Sequence, residues 1–176
     1  MAFSLSCRAF QVRYISCHFT SAPKDQGEQD MEIHTKRFGV LNVANEDVLH
    51  FPNGLIGFED CHRWVLLCDP RNELVVWLQS VEQADLALAV VSPRRFVRNY
   101  RARVSRWELE PICLRDSRCA EVLVVVGKGP EGVALNLKAP VVLNLECRLG
   151  CQAIANGELP VRYALGDDEY SLRRTA

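Results

Sequence analysis

The sequence predicts an all-β protein: a small β-barrel-like single domain of short antiparallel strands, preceded by a disordered N-terminal extension. Three observations carry that prediction. Apolar runs of strand length, too short for helices, recur along the chain. Clusters of Gly, Pro, Asn and Asp separate them. No segment sustains the spacing of an amphipathic helix.

Residues 1–30 stand apart from the body. Met1–Pro23 holds two arginines, several serines and no acidic residue. That composition weakly resembles an organelle transit peptide but lacks a helical apolar stripe, and Arg8 and Arg13 interrupt any secretion-signal centre. Met31 is the only methionine besides Met1 and immediately precedes the first strand-like segment. Residues 1–30 therefore read as a disordered extension, or as a leader translated upstream of a start at Met31.

The body spans 31–166. Ile33–Asn42 alternates unevenly around Gly39, and Val48–Phe51 runs into Pro52-Asn53-Gly54, a turn signal that allows positive φ. Leu55–Glu59 and Trp64–Cys68 follow, then a turn at Asp69-Pro70-Arg71-Asn72. Leu74–Gln79 and Leu86–Val91 are compact apolar runs divided by the polar segment 80–85. Ser105–Leu109 is a candidate helical turn. Val122–Val126 is the most β-branched run, and Gly127–Gly132 reads as a loop.

The most informative stretch is 135–152, LNLKAPVVLNLECRLGCQ. Apolar runs at 132–137 and 141–147 flank Lys138-Ala139-Pro140. Pro140 has no amide proton, so it belongs at a strand start or an edge and breaks the two runs apart. Asn136 and Asn144 sit one in each run. An unpaired buried amide costs about 1–3 kcal/mol, so each needs a partner or water. Ala153–Ile154, Asn156-Gly157 and Val161–Leu165 close the body, and 167–176 is a polar tail.

Composition narrows the function classes. The chain has 176 residues, 48% apolar content and a net charge of −1, which fits one globular domain and no polyelectrolyte role. No apolar run approaches the roughly 20 residues that span a bilayer. Eight cysteines contain no C-x-x-C pair, and the closest spacing is Cys147-x₃-Cys151. That spacing does not suit a structural zinc site, so no metal or other cofactor is expected. Cys113 and Cys147 read as small buried hydrophobes, and the thiols as reduced and cytoplasmic. Neither a nucleophile elbow, a phosphate loop nor a metalloprotease helix motif is present, so the chain reads as a non-enzyme.

One charged segment stands out. Residues 94–106 (RRFVRNYRARVSR) hold six arginines, no acid, and Phe96 and Tyr100 between them. Arginine interleaved with aromatics suits a single-stranded nucleic-acid groove. It equally suits an acidic protein surface, with Arg98 and Arg101 at its centre, or a solvated basic face.

The motifs FPNGLIGFE (51–59), WLQS (77–80), LALAVVSP (86–93), Tyr100 and NLKAPVVLN (136–144), closed by Gly150-x-Gln152, resemble the flagellar assembly factor FliW family. Their order and spacing match as well, over about residues 32–165. The resemblance implies a cytoplasmic β-barrel-like protein without catalytic activity, monomeric when free. It implies binding to the translational regulator CsrA, which relieves repression of flagellin messenger RNA, and binding to flagellin in a partner switch. The antagonism it implies is allosteric, with docking away from the RNA-contacting surface of CsrA. Direct nucleic-acid or membrane binding is not expected; the alternative is an RNA-binding β-barrel using 94–106.

Candidate partner-binding residues follow from both lines. Leu55, Ile56 and Phe58 lie in a turn-rich segment, either as exposed apolar anchors or as a plug for the barrel end. Asn136, Asn144 and Gln152 match family positions and either meet a partner or pair with backbone inside the sheet. Arg98 and Arg101 complete the set. The leader, the many cysteines, Ser92-Pro93 in place of Asp-Pro, and the basic 94–106 segment depart from the family pattern.

Overall fold

The computed structural model describes residues 2–5, 30–130 and 132–165, and for residues 2–5 only the backbone. The first strands are β1 (Ala2–Leu5), β2 (Asp30–Thr35), β3 (Gly39–Ala44), β4 (Leu49–His50), β5 (Arg63–Cys68), β6 (Val76–Ser80) and β7 (Ala87–Val91). They are followed by β8 (Ala102–Ser105), β9 (Ala120–Gly129), β10 (Gly132–Leu135), β11 (Val141–Asn144), β12 (Leu149–Gln152) and β13 (Tyr163–Ala164). Seven of them form a closed ring in the order β11-β12-β4-β5-β6-β7-β9, with β9 returning to β11. All neighbours in the ring are antiparallel except β12 and β4, which run parallel.

Closure works through β9. It pairs with β7 on one edge and with β10 and then β11 on the other. Leu135 lies opposite Val126 and Val141 opposite Leu123, so 136–140 on one side face only 124 and 125 on the other. The Asn136 amide still donates to the Val125 carbonyl at 2.9 Å, and the chain then leaves the ladder until Val141, as the prolyl break in 135–152 predicts. The long Gly/Pro loop does not form: β9 extends to Gly129 and β10 starts at Gly132.

Successive strand residues point to opposite faces, and here both faces are covered. Inside the ring pack Leu49, Phe51, Trp64, Leu66, Val76, Leu78, Val90, Leu123, Val141 and Leu143. Outside it, Val65, Leu67, Trp77, Val91, Val122, Val124 and Val142 form a second core. The β2–β3 hairpin and the 3₁₀ segment Arg106–Ile112 contribute Ile33, Val43, Leu109 and Ile112 to that outer core. Two-sided burial is why these strands read as continuous apolar runs rather than alternating ones. The hairpin is pinned by Arg37 stacked 3.5 Å over the Trp77 ring and by the Lys36 amide, which donates to Ala84 at 2.8 Å.

Two glycines are dictated by close approach. A Cβ at Gly150 would fall onto the Phe51 ring. Gly54 has φ of +64°, and a Cβ there would lie 2.5 Å from the carbonyl oxygens of Phe58 and Glu59.

Some sequence expectations need correction. Ala2–Leu5, inside the segment read as disordered, pairs antiparallel with β8, and Asp30 already belongs to β2. The remainder of the leader, 6–29, and the tail from 166 lie outside the described residues. Cys113 and Cys147 are exposed, because each sits in a connection beyond a strand or 3₁₀ end; among the described residues Cys61 and Cys151 are the buried thiols. Within 94–106 the alternation of buried Ala102 and Val104 with exposed Arg103 makes a strand, β8, that charge had masked.

Tyr100 is buried, and its hydroxyl donates to the Leu137 carbonyl at 2.9 Å. Burial pushes its pKa up from 10.0 to about 12. The folded state thus holds the proton more tightly, so this contribution is complete below about pH 10 and is lost as pH rises through about 12. Tyr100→Phe is expected to cost about 1 kcal/mol at neutral pH through the lost hydrogen bond. It should also flatten the decline in stability between about pH 10 and 12, measured by urea denaturation across that range.

Candidate partner-binding face

The bulge 136–140 is held by the residues around it. The Ala139 amide donates to Asn136 Oδ1 at 3.1 Å, which closes the turn locally. The Ala153 amide donates to the Pro140 carbonyl at 3.0 Å and the Ala155 amide to the Lys138 carbonyl at 2.8 Å. Lys138 Nζ reaches the Gly157 carbonyl at 2.7 Å. Gln152 then joins this bulge to the 51–59 loop. Its Nε2 donates to the Ala139 carbonyl at 3.1 Å, and its Oε1 accepts from the Ile56 amide at 3.0 Å.

A second connection runs from β12 to the 3₁₀ segment. Ser105-x-x-Glu108 is a capping box, with Glu108 Oε2 accepting from the Ser105 amide at 3.1 Å. Its other oxygen accepts from the Ile154 amide at 2.7 Å. Beneath this link, burial first and then the Glu108 carboxylate push the Cys151 thiol up to about 12, so it stays protonated.

These bonds link the chain positions at or next to three large exposed apolar side chains. Ile56 is 55% exposed, Ile154 52% and Trp107 69%. Ile56 is tied to Gln152, two residues before Ile154; Ile154 is tied to Glu108, beside Trp107. The Ile56 and Ile154 amides are each fixed by such a bond, which limits the ordering cost of docking.

The predicted residues divide accordingly. Ile56 and Gln152 belong to the candidate face, Ile56 as an apolar tip and Gln152 as its brace. Asn136 braces the neighbouring bulge. Leu55 is 2% exposed and packs inside the ring, with half-buried Phe58 against the same core, so these two plug the barrel end. Asn144 is 3% exposed and donates from Nδ2 to the Ile112 carbonyl at 2.9 Å, so it anchors the 3₁₀ segment from within. Arg98 and Arg101 are exposed and, with Arg103, make no ion pair among the described residues. Phe96 and Tyr100 turn into the outer core, so 94–106 presents charge without a stacking surface.

The WLQS motif is structural. Trp77 Nε1 donates to Asp69 at 2.8 Å, and fully buried Gln79 donates from Nε2 to the carbonyls of Ser80 and Leu86 at 2.9 and 3.0 Å. Among the described residues no group of three His, Cys, Asp or Glu side chains could hold a metal ion. No helix among them is long and apolar enough to cross a membrane.

Comparison with known proteins places this architecture. The family model described as FliW protein matches residues 32–165. The chain belongs to the FliW family. It is 39% identical over 126 residues to the flagellar assembly factor FliW of Bdellovibrio bacteriovorus, covering 70% of this chain and 72% of that one. It is 32% identical over 146 residues to the corresponding factor of Thermoanaerobacter pseudethanolicus, covering 81% and 91%. A crystal structure of the flagellar assembly factor FliW superposes with a TM-score of 0.71 at 25% identity, over 79% of this chain and 99% of that chain.

Within this FliW-family body, sequence reasoning missed Trp107, Glu108 and Ile154. The Ser105-x-x-Glu108 spacing was the legible signal for two of them: a capped turn that exposes a tryptophan in its first positions. Gln152→Leu is expected to destabilise the chain by about 1–2 kcal/mol, since the Ile56 amide and Ala139 carbonyl both lose their partner. Amide exchange should speed up at Ile56 while the amides of β5 and β6 keep their protection.

Proposed function

We propose that this chain is a non-catalytic regulatory protein of flagellar assembly that binds and antagonises CsrA, so that flagellin messenger RNA is translated. It also binds flagellin, which releases CsrA by occupying the same protein. The reading rests on FliW-family membership. The observation that carries it structurally is the Ile56–Ile154–Trp107 face, a set of apolar anchors on rigid backbone. Interfaces concentrate their energy in such anchors, with a polar or charged rim around them. Arg101 and Arg103, on or beside β8, supply a basic flank, because Arg103 pairs with Asn156, two residues beyond Ile154.

RNA binding by 94–106 is the weaker reading. With Phe96 and Tyr100 turned inward, the segment has arginines for phosphate and no exposed ring within it for bases.

Titration calorimetry of the full chain with CsrA is expected to give saturable binding that flagellin reverses. Ile56→Asp and Trp107→Asp should each weaken binding by at least about tenfold without lowering the melting temperature, because both side chains are exposed. The double reversal Arg98→Glu, Arg101→Glu should weaken it further at low salt than at high salt. Absence of CsrA binding by the full chain overturns the proposal. Wild-type affinity in both Asp variants removes the apolar face from it.

A further inference from the structure

Strand β8 lies outside the closed ring and has two edges. On one, Arg103 pairs with Asn156, whose amide donates to the Arg103 carbonyl at 2.6 Å. Backbone groups alternate in direction along a strand, so the amides and carbonyls of Ala102 and Val104 address the other edge. Both residues are fully buried, and buried backbone polar groups require partners. That edge is taken by β1, with Phe3 opposite Val104, Ser4 opposite Arg103 and Leu5 opposite Ala102.

β1 is an addition to the body. Residues 6–29 separate it from β2, it pairs with β8 alone, and the family match begins only at residue 32. Its fit to β8 is also incomplete. Position 4 stands opposite Arg103 in a non-hydrogen-bonded register position, at which an opposite charge would stabilise. A serine stands there, and Met1–Pro23 contains no acid at all. Arg103 makes no ion pair among the described residues.

We infer that this edge of β8 is a strand-addition site for an extended segment of a partner protein with the pattern apolar–acidic–apolar, which the leader strand Ala2–Leu5 occupies in cis. The two apolar positions answer the buried Ala102 and Val104, and the acid answers Arg103. Main-chain hydrogen bonds supply affinity in this mode and alternate side chains supply selectivity. Asn156 on the far edge links the site to Ile154, so the segment lies alongside the apolar face. The inference does not depend on which protein that face receives.

Two full-length variants with opposite effects test it. Leu5→Pro removes an amide donor that pairs with Ala102 and should release the leader. Amide exchange at Ala102 and Val104 is expected to speed up at least about tenfold, while β5 and β6 stay protected. Ser4→Glu adds the missing acid and should slow exchange at the same two amides. The blocked peptides AFSLS and AFELS, fluorescently labelled, are then titrated into the Leu5→Pro chain. The acidic peptide should bind several-fold more tightly, and Arg103→Glu should reverse the order. Unchanged exchange in Leu5→Pro overturns the cis occupancy. Failure of both peptides to bind, or equal affinity for the two, overturns the strand-addition site.

Discussion

Strand β9 is hydrogen-bonded along both edges, to β7 on one and to β10 and β11 on the other. A strand of ten residues must serve two shorter partners in succession, and it can do so only if the chain between them leaves the ladder. Residues 136–140 are that departure. Once they bulge out, the ring closes, and the bulge needs other partners for its exposed amides and carbonyls. Those partners are Asn136, Gln152 and the 153–157 segment, which together bring the 51–59 loop and the end of β12 to the same place. The candidate binding face is thus a by-product of how the barrel closes.

The same logic explains why so few of the family-matching residues touch solvent. Leu55, Phe58, Trp77, Gln79 and Asn144 hold loops to a barrel packed on both faces, the last three through side-chain donors matched to acceptors, while Gln79 Oε1 and Asn144 Oδ1 are left without one. These motif residues therefore report closure and loop anchoring before they report partners. The groups left outside are Ile56, Ile154, Trp107 and the arginines near β8. Exposed aliphatic anchors beside Trp107 and the cations Arg101 and Arg103 suit a protein partner.

Electrostatics plays a supporting part. Ion pairs such as Lys36–Asp85 and Arg63–Glu82 lie at the surface, where each contributes little. Glu108 is the exception in role: one oxygen caps the 3₁₀ segment and the other holds Ile154, so a single carboxylate fixes two of the three apolar tips. Its neighbour Cys151 stays protonated, which keeps that junction chemically inert.

Strand-length runs, the turn at 52–54 and the break before Pro140 were legible in the sequence, because chain geometry and the missing prolyl amide act locally. The family motifs were equally legible. What the sequence left open was which side of the backbone each residue takes. Continuous apolar runs carry no alternation when both faces are buried, so Leu55 and Ile56 look alike in one dimension and differ completely in the fold. β8 was hidden because charge, not periodicity, dominates 94–106, and the parallel contact of β12 with β4 joins segments that share no local signal. The linking of Ile56, Ile154 and Trp107 belongs to tertiary structure alone: it depends on hydrogen bonds from Gln152 and Glu108 to residues 96 and 46 positions away.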